Sequence, residues 1–187
     1  MNIPSSREIA LTGDLFTRPW FTYFENVYRA IRGETDIKLG GLLSVDTTSA
    51  ANSGVGATDL IDYTLSAKSL NTTGDVLEIE AWGDYAANAN NKTVTLDFGG
   101  QTILTTGAIA ANDGDWRIKA KIIRTGAATQ EIIAEIISSN SSVADSVTRT
   151  AGTQTLSNDL TIKCTATGGA TNDITQYALL INLYPNS

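Results

Sequence analysis

The residues able to do chemistry in this chain are few, and the first to weigh are Glu78 and Glu80 in the stretch Val76-Leu-Glu-Ile-Glu-Ala-Trp82. Two residues apart on a strand, they share one face with side chains roughly 7 Å apart. Glycosidases work with two acids and need no histidine, so this pair permits a glycan-cleaving site. Alternating acids are also common on a solvated sheet face, where they pair with Lys or Arg of the neighbouring strands, and that is the favoured reading. The chain holds no histidine. This removes Ser-His-Asp and Cys-His nucleophiles, His-ligated zinc and imidazole proton shuttles together. The one cysteine, Cys164, leaves no intrachain disulfide and no thiolate zinc site. In Thr161-Ile-Lys-Cys-Thr-Ala-Thr167 it alternates with Ile162 and Ala166, which predicts a core thiol. The turn Asn112-Asp-Gly-Asp115 offers oxygens to calcium but lacks the spacing and the distal bidentate acid of an EF-hand loop, so it reads as a hairpin turn. No Walker sequence or G-x-G-x-x-G fingerprint follows a strand. No catalytic residue, metal site or cofactor is expected.

Saccharide sites usually present exposed aromatic rings, on which sugars stack. Trp82 falls in register with Glu78 and Glu80, opposite Leu77 and Ile79, and Tyr85 follows in Gly83-Asp-Tyr-Ala-Ala-Asn-Ala-Asn-Asn-Lys92. Trp82 and Tyr85 are therefore the candidate glycan contacts. The competing reading makes Trp82 a strand-end residue covered by that loop or by a neighbouring subunit.

The elements that must position these residues are mostly strands. Residues 1–33 end in a segment from Arg18 to Gly33 with Pro19 suited to the first helical position and Gly33 to the one past the end, predicting a helix of about four turns. Its apolar residues Trp20, Phe21, Phe24, Val27, Tyr28 and Ile31 recur at three- and four-residue spacing. Residues 34–58 are rich in Gly, Ser, Thr and Ala and read as a connector, with one short strand at Leu42–Val45. Residues 59–187 carry an all-β pattern, with strands expected at Leu60–Leu65, Val76–Trp82, Thr93–Phe98, Thr102–Leu104, Trp116–Arg124, Gln130–Ser138, Val143–Arg149, Thr155–Thr165 and Gln176–Tyr184. Short strands at this spacing predict an antiparallel two-sheet β-sandwich, a jelly roll, preceded by the N-terminal helix. Within it Ile118, Ala120, Ile122, Ile132, Ala134 and Ile136 should face the core. Lys119 and Lys121 should face away and meet Glu131 and Glu135 across the strand pair.

Composition agrees with one domain and an extension. Hydrophobic residues make up 42% and charged residues 18% of 187 residues, so the chain is globular and draws its polarity from Thr, Ser and Asn. The formal net charge of −7 repels phosphate, which argues against nucleic acid and anionic membrane surfaces as partners. No segment reaches the roughly 18 apolar residues of a membrane span, and the start of the chain lacks a signal-peptide pattern. Synthesis and assembly in the cytoplasm of the producing cell are expected.

Two stretches resemble known proteins. Phe16-Thr-Arg-Pro-Trp-Phe-Thr-Tyr-Phe-Glu-Asn-Val-Tyr28 resembles the short helical leader of small structural proteins of tailed bacteriophages. The run from Ile61 through Gly74-Asp-Val-Leu-Glu-Ile-Glu-Ala-Trp-Gly83, Thr93-Val-Thr-Leu-Asp-Phe-Gly-Gly100 and Asn112-Asp-Gly-Asp-Trp116 to Gly126 is similar to the jelly-roll domains of phage tail-fibre, head-fibre and decoration proteins. The resemblance implies a non-enzymatic virion subunit, commonly a homotrimer, whose leader engages other virion proteins while the sandwich projects outward. On this reading Pro19, Trp20, Phe21, Phe24, Tyr28 and Ile31 form the attachment stripe. A helix packed back on its own sandwich as a lid is the alternative. Two other functions stay open beside the structural one: recognition of a host-surface saccharide, and glycan cleavage by Glu78 and Glu80.

Overall fold

The computed structural model describes residues 40–186 together with Phe24 and Val27. The chain divides into two compact units, Met1–Leu39 and Gly40–Ser187. In the first, Phe24 and Val27 are helical and Phe24 is exposed. The other expected attachment residues, Pro19, Trp20, Phe21, Tyr28 and Ile31, lie outside the described residues.

The second unit is an antiparallel β-sandwich. Its strands are β1 (Gly41–Asp46), β2 (Ala50–Ala51), β3 (Gly56–Leu65), β4 (Val76–Tyr85), β5 (Thr93–Phe98), β6 (Gln101–Thr105), β7 (Asp115–Gly126), β8 (Thr129–Ser138), β9 (Ser146–Gly152), β10 (Leu160–Gly168) and β11 (Ile174–Tyr184). The larger sheet runs β1-β11-β4-β7-β8-β9, with β2 also paired to β11, and the smaller runs β3-β10-β5-β6. Setting aside β2 and the β8–β9 hairpin, the strands pair first with last (β1 with β11), then inward as β3 with β10, β4 with β7 and β5 with β6. This nesting is what a long hairpin gives when it rolls into two sheets, and it is the topology of a jelly roll. The β8–β9 hairpin widens the large sheet beyond it.

Alternation explains which face each strand buries. Ile118, Ala120 and Ile122 of β7 and Ile132, Ala134 and Ile136 of β8 are at most 1% exposed. Lys119, Lys121, Glu131 and Glu135 occupy the opposite face, as a period of two requires. Each buried isoleucine stabilises the fold by about 1.5–3 kcal/mol before ordering costs. Cys164 is fully buried, and burial pushes its thiol up to about 12, so it packs as a small apolar side chain.

Several boundaries differ from the sequence expectation. β1, β2 and the start of β3 lie within residues 34–58, where a connector was expected around one short strand. That stretch is polar and small, yet β11 offers it hydrogen-bond partners from the far end of the chain, pairing Leu42 with Asn182 and Val45 with Leu180. Val143 lies in a turn ahead of β9, its side chain buried. β10 begins at Leu160 rather than Thr155. Asn112-Asp-Gly-Asp115 closes no hairpin: it leads from β6 in the small sheet to β7 in the large one, with Asp113 and Gly114 at positive φ. Asn140 Nδ2 holds it in place by donating to the carbonyls of Asn112 and Asp113.

Candidate functional site

The outer surfaces of the two sheets differ in kind. On the small sheet the outward positions are mostly hydroxyls and charges. Thr165 pairs with Thr95 and Thr95 with Thr105. Lys163 Nζ donates to both carboxylate oxygens of Asp59, at 2.8 and 2.7 Å. The hydrogen bond to Lys163 holds the Asp59 carboxyl below its ordinary value. This is a hydrated face.

The outer surface of the large sheet mixes charge with apolar side chains. At its centre β4 presents Glu78 and Glu80 beside Lys121 and Lys119 of β7, their cross-strand partners. Lys121 Nζ lies 3.6 Å from Glu78 Oε1, while Lys119 Nζ and Arg117 Nε lie 3.5 and 3.9 Å from Glu80 Oε1. The expected meeting of β7 lysines with β8 acids is thus only half of the arrangement. Lys119 does stand opposite Glu135, but Lys121 stands opposite Ile133, and the ion pairs run to β4. The Tyr184 hydroxyl donates to Glu78 Oε2 at 3.1 Å, a bond that raises the phenol above its ordinary value. Glu78 and Glu80 therefore share one face, as the alternation requires, each within 4.0 Å of a cation.

Large apolar side chains flank this charged centre. Among the described residues the exposed ones are Phe24, Leu42, Val45, Val55, Ile133, Ile137, Val147, Tyr177 and Tyr184. Apart from Phe24 and Val55, all of them stand on the outer face of the large sheet. Val147 is 65% and Leu42 58% exposed, at opposite edges. The sequence carried a signal for part of this set. Ile132-Ile133 and Ile136-Ile137 are doublets, and on a strand two consecutive isoleucines cannot both face inward.

At one end of the face, Trp82, Asp115, Arg117, Ile137, Ser139 and Tyr177 line an open recess of about 360 Å³. Trp82 is half-buried and faces outward, as expected. Tyr85 does not join it. The alternation of β4 turns Tyr85 into the core, where it is fully buried, its hydroxyl has no hydrogen-bond partner and burial raises its pKa. Tyr177 takes the position beside Trp82 instead. A bulge in β11 between Gln176 and Ala178 shifts the register against β4, and Tyr177 is 43% exposed. The charge of Asp84, then burial, a hydrogen bond to Asp84 and the charge of Asp115 raise the Tyr177 phenol. Strict alternation back from Leu179 would have turned Tyr177 inward, so the bulge hid it from the sequence. Rings, a carboxylate and a guanidinium at one recess can stack on and hydrogen-bond a polyhydroxyl ring. Among the described residues, no group of three or more acidic or cysteine side chains comes together in a way that would hold a metal ion.

No protein-family model matches the chain, and no curated protein does. Among solved structures it is similar to a seed lectin of Lotus tetragonolobus, at 6% identity and a TM-score of 0.33, over 78% of this chain and 95% of the lectin. It is similar to the CBM2 module of the evolved Dit of Lactobacillus casei BL23 phage J-1, at 10% identity and a TM-score of 0.32, over 79% of this chain and 98% of the module. It is also similar to lectin I-B4 of Griffonia simplicifolia in its metal-free form, at 9% identity and a TM-score of 0.34, over 82% of this chain and 96% of that one.

Proposed function

We propose that this chain is a non-enzymatic structural protein of a tailed-phage particle, a fibre, spike, neck or head-decoration subunit attached through residues 1–33 and assembled with copies of itself. The observation that carries the reading is the contrast between the two sheet surfaces: a largely hydrated small sheet, and a large sheet whose outer face gathers most of the exposed large apolar side chains among the described residues. Surfaces of that kind mark contacts with other proteins. The N-terminal resemblance to phage leader helices supplies the setting, and with it the virion as location. Imaging of intact particles tests this directly. Density for the sandwich on head or tail, lost when residues 1–33 are deleted, is the expected result; particles from which the protein is absent sink it.

A second reading is favoured by one observation, the Trp82 and Tyr177 rings at one recess with Asp115 and Arg117. On that reading the sandwich binds a host-surface saccharide. A glycan array with the native chain and with Trp82→Ala checks it: binding that the substitution abolishes supports it, and an array without signal removes it. Neither reading uses Glu78 and Glu80 as catalysts. Polysaccharide cleavage by the native chain and not by Glu78→Gln would overturn the non-enzymatic assignment.

A further inference from the structure

We propose that two copies of this chain meet face to face across the outer surfaces of their large sheets, about a two-fold axis that runs along the strands between β4 and β7. The proposal goes beyond the structural reading above and does not depend on where in a particle the protein sits.

The argument comes from strand order and register. In the path β1-β11-β4-β7-β8-β9, the line between β4 and β7 is the midpoint. Rotation by half a turn about that line brings a second face against the first, with β4 of one copy over β7 of the other. The same rotation sets β11 over β8, and β1 over β9. The pairs Glu78 with Lys121 and Glu80 with Lys119 are cross-strand neighbours at the same height along the strands. Glu78 therefore comes to face Lys121 of the second copy, and Glu80 comes to face Lys119 of the second copy. Each ion pair becomes an alternating square of four charges. A half-turn about an axis across the strands through the same centre would instead set acids over acids and lysines over lysines. Charge alone thus selects one orientation, in the manner of a self-complementary isologous contact.

The flanks follow the same symmetry, and the register says what meets what: Val45 on β1 comes over Val147 on β9 at the same height, while Leu42 comes over Arg149 and Tyr184 over Glu131. At about 4.8 Å between strands and 3.3 Å per residue, six strands about six residues long present roughly 600 Å² of projected face. A stable pair of proteins buries about 800 Å² of accessible surface on each side, and pleated accessible surface exceeds its projection, so the face is large enough. Sheets packed in this way stay within about 30° of aligned, which keeps the opposed columns in reach near the axis.

The experiment is the solution mass of the full chain by light scattering or sedimentation, with two charge-reversal variants. The native chain should weigh two copies. Glu78→Lys with Glu80→Lys makes both central columns basic, and Lys119→Glu with Lys121→Glu makes both acidic, so each variant alone should dissociate at least about ten-fold more readily. Mixed in equal amounts they should recover a dimer, because each column then finds its opposite. Lys121 is exposed and Glu78, Glu80 and Lys119 are half-buried, so melting temperatures close to native are required to confirm the fold. If either double variant fails to fold, Val147→Lys alone tests the same face at its edge and should also loosen the dimer. A native chain that stays monomeric at about 100 μM, including one whose own N-terminal segment covers the face, overturns the proposal. So do variants with unchanged dimerisation. A native trimer also overturns it, while leaving the virion reading standing.

Discussion

Lys92 is fully buried, and its Nζ donates to the carbonyls of Asn88 at 2.9 Å, Asn90 at 3.3 Å and Ala111 at 2.6 Å, and to Asn88 Oδ1 at 2.9 Å. Burial lowers its pKa, and the charge of Asp173 opposes that shift. The ammonium thus ties the loop after β4 to the loop before β7 in the way a bound cation would. Lys92→Met should cost about 2–4 kcal/mol, read as a lower melting temperature, because it strands the buried Ala111 carbonyl and leaves the part-buried carbonyls of Asn88 and Asn90 without the ammonium. Asp173 anchors the neighbouring turn. Burial pushes its carboxyl up, but hydrogen bonds from Asn88, the Ala170 N–H, Asn90 and the Gly169 N–H together bring it below its ordinary value. A carboxyl held low in the fold contributes stability that is complete above its unfolded value of 3.8 and is lost as pH falls through the lower, folded one. Asp173→Asn should therefore flatten the acid side of a plot of melting temperature against pH below about pH 4. A slope unchanged from native would refute the assignment. The Tyr85 hydroxyl lies buried with no partner, so Tyr85→Phe should leave stability unchanged or raise it by up to about 1–2 kcal/mol.

Among the elements, β4 is the hinge of the arrangement, because it sits between β11 and β7 and carries Glu78, Glu80 and Trp82 on one side and core residues on the other. Its register depends on Gly83. A Cβ at that position would lie 1.8 Å from the Thr175 carbonyl oxygen and 2.6 Å from the Trp116 ring, so no side chain fits without moving backbone. Gly83→Ala should destabilise by about 3 kcal/mol or more and should disturb the Trp82 and Tyr177 recess with it. Chemical denaturation checks the first effect and tryptophan fluorescence the second. Strand type was legible element by element: Thr93–Phe98 was expected with its observed bounds, and β7 and β8 to within a residue or two. β9 and β10 were less so, since Val143 and Thr155 are strand-forming residues that tertiary contacts place in turns. Local propensity cannot see the hydrogen-bond partner that decides such cases.

For the whole molecule, the fold should depend on packing and not on a metal. Addition of a chelator should shift the melting temperature by less than a few degrees, with Lys92 supplying the charge that bridges the loops. A larger loss would point to a cation site. Binary pattern by itself determined the sheet class, the inward isoleucines of β7 and β8, the buried Cys164 and the shared face of Glu78, Glu80 and Trp82, because strand side chains alternate with a fixed period of two. Tertiary structure alone decided the rest. Strand order set the ion pairs toward β4 instead of β8, distant β11 drew residues 41–51 into the large sheet, and a bulge in β11 brought Tyr177 to the recess. Each of these depends on which residues far apart in sequence are hydrogen-bonded to one another, and a period of two carries no information about partners.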